Sequence, residues 1–175
     1  EAENLKVLKA AQIVKDEGIA IPILLGEESR IKELIAENGL QLAGVEIIDP
    51  RSSSTDEKRM EYGNLFFEKR KRRGYNLYEA RKIMRERPYF GCMMVETGEA
   101  DALISGLTRK DPDTLRPALE IIGMAPNAKR VAGMYMMLTK KGPVFFADTT
   151  VNFNPTEDEL VDITLLTAHT VEHFN

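Results

Sequence analysis

Leu5, Leu8, Ile13 and Val14 form a helical stripe that closes at Gly18, and the apolar run at residues 19–25 reads as a strand covered on both faces. Ile31, Leu34 and Ile35 mark a second helix ending at Asn38-Gly39, and residues 45–50 supply a second strand. Helix, strand, helix and strand with short connections is the pattern of a layered α/β sheet. Ser52, Ser53, Ser54 and Thr55 offer N-cap chemistry to a long helix through Met60, Leu65 and Phe66. That helix runs into Lys69-Arg70-Lys71-Arg72-Arg73-Gly74. Asn76 caps a further helix over residues 77–87 that Pro88 stops, and residues 89–96 form a short apolar helix before Gly98. Residues 101–106 read as a third strand, after which Asp113 and Thr114 cap a helix reaching Ile122.

Beyond this point the pattern changes. Residues 130–138 and 142–147 are two strands joined by a hairpin-length turn, and Thr156 with Glu159 has the spacing of a capping box at the start of the last helix. The turn residues Met124-Ala125-Pro126-Asn127 divide a first α/β domain, 1–124, from the start of a second, 125–175. The last helix leads to no further strand and the chain begins without methionine, so both ends are expected to be cuts in a longer polypeptide.

Composition narrows the classes. With 43% hydrophobic residues the 175-residue chain can bury a core, and its net charge of -4 points to neither nucleic acid nor a membrane. The single cysteine, Cys92, fits a reducing compartment, and a soluble cytoplasmic protein is expected. No dinucleotide fingerprint, P-loop or paired-cysteine metal motif is present. His169 and His173 are four apart on the last helix without a third ligand in sequence, and Cys92 lies among Phe90, Met93, Met94 and Val95 as a buried thiol would.

Two features carry anion chemistry. The run from Lys69 to Arg73 is either a solvated helix end complementing its dipole or a phosphate site. In the second, a helix capped by Thr114 places Arg116 in its first turn, where a cation opposes the dipole. Either Arg116 reaches into solvent, or it joins free backbone N–H groups in holding an anion.

The blocks Asp113-Thr114-Leu115-Arg116-Pro117-Ala118-Leu119-Glu120, Glu99-Ala100-Asp101-Ala102-Leu103-Ile104-Ser105-Gly106 and Phe146-Ala147-Asp148-Thr149-Thr150-Val151-Asn152 together resemble the phosphate acetyl/butyryltransferase family, in order and spacing. The stretch Arg130-Val131-Ala132-Gly133-Met134-Tyr135-Met136-Met137-Leu138 is similar to the branch fused to NADP-dependent malic enzymes. Thr108-Arg109-Lys110 stands where active acyltransferases usually carry a His-Ser-Thr-like group, and the family's C-terminal Ser-Arg-Gly block is not in the chain. The resemblance implies a three-layer α/β/α sandwich with a mixed, largely parallel sheet, isocitrate/isopropylmalate dehydrogenase-like and truncated. It implies that Arg70, Arg116, Ser105 and Thr114 bind CoA or phosphate, with no catalytic or metal residue in this chain; Asp148 matches a recurrent aspartate without a role. The expected function is an acetyl-CoA-sensing regulatory and oligomerisation module of a malic enzyme, partnered by the malic enzyme domain of the same polypeptide and by further copies. NADP and a divalent metal, Mg or Mn, would belong to that enzyme, which converts malate to pyruvate. The alternative is a phosphate acetyltransferase moving acetyl between acetyl phosphate and CoA.

Overall fold

The computed structural model describes residues 1–126 and 128–174. Asn127, part of the expected Met124–Asn127 break, and the terminal Asn175 lie outside the described residues. The chain separates into two compact units, Glu1–Ile122 and Gly123–Asn175.

The first unit contains α1 (Leu5–Asp16), β1 (Ile23–Leu25), α2 (Glu28–Glu37), β2 (Glu46–Ile48), α3 (Asp56–Arg70), α4 (Leu77–Ile83), α5 (Arg87–Glu96) and α6 (Asp111–Ile121). β1 and β2 pair in parallel, with Leu24 opposite Ile47. Because side chains alternate along a strand, the pair feeds two cores. Leu24 and Ile47 join Leu8, Ala11, Ile31 and Leu42 from the α1–α2 side. Ile23, Leu25 and Ile48 pack against the larger cluster of Tyr62, Phe66, Met84, Tyr89, Phe90, Met93 and Ile121. Helices therefore cover both faces of a short parallel pair, which is why its strands read as continuous apolar runs.

Local chemistry explains where elements begin. Asn76 accepts from the Glu79 backbone and Glu79 reaches back to the Asn76 N–H, a complete capping box. Pro88 does not stop a helix: α4 already ends at Ile83, and Pro88 sits in the first turn of α5, where its missing N–H has no intrahelical partner to lose. In the same way α6 begins at Asp111 with Pro112 in its first turn, three residues ahead of the expected Thr114 cap. Pro117 then falls inside α6. Gly63 lets α3 approach α4 closely, since a Cβ there would meet Arg81 Cα at 2.6 Å.

The expected single mixed sheet is replaced, among the described residues, by two two-stranded sheets, one parallel and one antiparallel. β1 is shorter than expected because Ile19 and Ile21 stay exposed, at 67% and 94%. The expected third strand at residues 101–106 forms no ladder, and Ile104 is 97% exposed.

The second unit is a hairpin and a helix: β3 (Met134–Thr139), β4 (Gly142–Ala147) and α7 (Glu157–Glu172). Thr139 pairs with Gly142 across a two-residue turn, and Gly142 takes φ 112°, open to glycine. β3 starts four residues later than the expected Arg130, whose side chain instead pairs with Glu159 at 2.8 Å and Asp162 at 3.4 Å. Thr156 and Glu159 close the expected capping box on α7. Asp148 ties the hairpin exit together, accepting from the N–H groups of Gly133 (2.7 Å), Val151 (3.3 Å) and Asn152 (2.5 Å) and from the Asn152 amide (2.5 Å). Partial burial disfavours its charge, but these hydrogen bonds outweigh it and hold the carboxyl at about 2.

Candidate functional site

α3 delivers Arg70 to the face of α6. Its guanidinium Nη2 stands 3.7 Å from Glu120 Oε1, an ion-pair distance rather than a hydrogen bond, and its Nε is buried without a partner. Glu120 is in turn fixed by two tyrosines: Tyr75 donates to it at 2.9 Å and Tyr89 at 2.8 Å. Both rings edge onto Phe66, so the hydroxyls are aimed by the aromatic core. Burial, then the hydrogen bond to Glu120, pushes the Tyr89 hydroxyl far above the usual tyrosine range; burial likewise raises Tyr75. These tyrosines serve as hydrogen-bond donors, not acids.

Arg116 is exposed and lies one turn before Glu120 on α6, so the two share a face. It occupies the second turn of the helix, not the first, which corrects the premise that its charge opposes the helix terminus. Thr114 is two residues from Arg116 and therefore roughly 160° around the axis. Its hydroxyl is sealed from solvent without a partner, on the side of Gly106, where an added Cβ would stand 3.9 Å away. Ser105 is partly buried, immediately before that glycine. Arg70 thus pairs with Glu120, Arg116 lies on the same face of α6 as Glu120, and Thr114 lies on another side of the helix, near Gly106.

The basic run divides. Lys69 bonds the Ile121 carbonyl at 2.8 Å, capping α6, and pairs with Glu96; Lys71, just past the end of α3, pairs back with Glu68 of that helix. Arg70 alone faces Glu120. Sequence reading missed Glu120, Tyr75 and Tyr89; the available signal was an acid four residues beyond Arg116. Cys92 is buried and raised to about 11 by burial, an inert thiol. Among the described residues, no group of three or more His, Cys, Asp or Glu could hold a metal; His169 and His173 lie edge to face, and His173 Nδ1 meets the His169 carbonyl at 2.9 Å. No helix among the described residues is long and apolar enough to cross a membrane.

The phosphate acetyl/butaryl transferase family matches residues 1–175. The phosphate acetyltransferase of Clostridium acetobutylicum is 38% identical over 97% of the chain and 52% of its own length. That of Thermoanaerobacterium thermosaccharolyticum is 40% identical over 98% and 53%. A phosphotransacetylase structure from Streptococcus pyogenes superposes with a TM-score of 0.84 at 31% identity, covering 98% of this chain and 52% of that one. The chain spans about half the length of these relatives. None of them is named as a malic enzyme. By a match that runs its whole length, the chain belongs to the phosphate acetyl/butaryl transferase family.

Proposed function

We propose that this chain forms the CoA-binding part of a phosphate acetyltransferase, which moves acetyl between acetyl phosphate and CoA. The observation that carries the reading is the family match over residues 1–175 with relatives named for that activity. In the reaction the CoA thiol sulfur bonds the acetyl carbonyl carbon, the bond from that carbon to the phosphate oxygen breaks, phosphate leaves and the thiol proton passes to solvent or a base. Arg70, braced by Glu120, and the exposed Arg116 supply cations for the phosphates of CoA; Ser105 lines the approach, and Thr114 contributes only if the Gly106 segment moves. Positioning and charge stabilisation dominate such transfers, so 175 residues spanning half of the relatives' length are expected to bind CoA without turning over. The full sandwich architecture, with units 1–124 and 125–175 as parts of two domains, completes this reading.

A second reading keeps the fold and changes its role, to an acetyl-CoA-sensing, oligomer-forming module attached to an NADP- and metal-dependent malic enzyme in the cytoplasm. Thr108-Arg109-Lys110 in place of a His-Ser-Thr-like group favours it. One experiment separates the two. In the protein that carries this segment, acetyl-CoA formation from acetyl phosphate and CoA is measured beside malate turnover with and without acetyl-CoA. Binding of acetyl-CoA is measured by calorimetry in wild type, Arg70→Ala and Arg116→Ala. Loss of one arginine–phosphate contact should raise Kd roughly tenfold to hundredfold. Wild-type affinity in both variants would remove these arginines from the site.

A further inference from the structure

Helix α4 and the connections around it enclose a cleft of about 740 Å³. Arg51 enters it from the loop just past the carboxyl end of β2, where open α/β sheets place ligands. Arg73, the last residue of the basic run, and Tyr75 come from the connection between α3 and α4; Lys82 and Ile83 come from α4 itself, and Arg85 from the turn before α5. Four cations line the cleft against two carboxylates, and both carboxylates are engaged. Glu86 pairs with Arg51 at 3.1 Å, and Glu79 accepts from the Asn76 N–H at 3.2 Å in the capping box. Among the described residues, Arg73, Lys82 and Arg85 have no carboxylate partner. Arg85 donates to the Arg51 carbonyl at 3.2 Å, which holds its guanidinium at the cleft without answering its charge. The excess reaches a neighbour: burial, then the Arg85 charge, lowers the Arg59 guanidinium from its ordinary value.

We infer that this cleft binds a nucleoside diphosphate, at a site separate from the CoA contacts given to Arg70 and Arg116. Its size is that of a pocket for a small organic ligand, and a bare phosphate ion would leave most of it empty. The three unanswered cations stand before, on and after α4, so they suit linked phosphates carrying several charges rather than a single anion. Two of them are guanidiniums, whose planar N–H pairs match phosphate oxygens. Tyr75 and Ile83 give the wall apolar surface for a sugar and base, and the Tyr75 hydroxyl is already committed to Glu120 at 2.9 Å. The site stands whether or not the acetyltransferase reading holds, because none of its cations belongs to that reading.

The test titrates ADP, pyrophosphate and acetyl-CoA by calorimetry into the protein that carries this segment, in wild type, Arg73→Ala and Lys82→Ala. Both side chains are exposed, so thermal melts of the variants should match wild type. ADP should bind the wild type, and each substitution should raise its Kd roughly tenfold, the scale of one charge-assisted contact. Pyrophosphate should bind more weakly than ADP, and acetyl-CoA affinity should be the same in all three proteins. No ADP binding, or wild-type ADP affinity in both variants, would overturn the inference and leave a solvated basic face. Pyrophosphate binding as tight as ADP would overturn the nucleoside part. A parallel loss of acetyl-CoA affinity would make the cleft part of the CoA site and overturn a separate one. ADP binding as described with no acetyl-CoA binding anywhere would support this site and sink the acetyltransferase reading alone.

Discussion

Glu120 holds three groups at once, and its removal should show it. Truncation leaves two hydroxyls and a guanidinium facing one another in a largely buried space. Glu120→Ala is expected to destabilise the protein by about 2–4 kcal/mol, while Glu120→Gln, which still accepts from the tyrosines, should lose less than half of that. Thermal melts of the two variants check the ordering, and equal losses would mean the carboxylate charge is what matters. Asp148 and Glu1, the latter held by the N–H groups of Gly106, Leu107 and Thr108, make a prediction in pH. Each has a folded pKa depressed to about 2, below its ordinary value, so the stabilisation is complete above the ordinary carboxylate range and disappears as pH falls through about 2. A stability profile between pH 5 and 2 should fall, and Asp148→Asn should flatten the part that belongs to the second unit. An unchanged slope would show that Asp148 is not a contributor.

Helix starts were the most legible elements, because capping is local chemistry. Asn76 with Glu79 and Thr156 with Glu159 announce α4 and α7 in the sequence, and the geometry follows. Asn76→Ala should cost about 1 kcal/mol, a larger fraction of the stability of a seven-residue helix than of a long one. The errors fell on prolines and on strands. Pro88 looks like a stop unless one knows that the first helical turn tolerates it, and Pro112 likewise lies inside a helix whose cap was expected at Asp113 or Thr114. Residues 101–106 carry a strand's apolar content, but pairing is a long-range property that no local pattern contains. Of the candidate site, Arg70 and Arg116 were readable as charges; Glu120, Tyr75 and Tyr89 were not, because the fold brings them together from three separate helices or loops. Gly63 was silent in sequence too. Gly63→Ala should cost roughly 1–3 kcal/mol, since the new methyl meets Arg81 backbone rather than a flexible tip; a neutral melt would mean α3 and α4 slide apart freely.

On the scale of the whole molecule, the second unit buries little. Among its described residues Ile163 is the buried aliphatic one, whereas Tyr135, Met137, Leu138, Val144, Phe146, Leu160, Val161 and Leu165 are exposed. Apolar surface of this extent on a hairpin and one helix predicts self-association of the 175-residue chain. Sedimentation across micromolar concentrations should show species larger than monomer, and Leu138→Lys with Phe146→Lys should shift them toward it. A monomer throughout would mean that this surface stays hydrated.

Cys92 gives the first unit something the second lacks. It is the only cysteine of the chain, 2% exposed, at the centre of α5, and its high pKa keeps it unreactive while folded. A thiol reagent added in excess can reach it only in molecules whose first unit has opened. The labelling rate, compared with that of an unstructured cysteine, therefore becomes a chemical clock for that opening, blind to anything the hairpin and α7 do. Run with and without acetyl-CoA, the same clock reports how strongly a ligand holds the first unit shut.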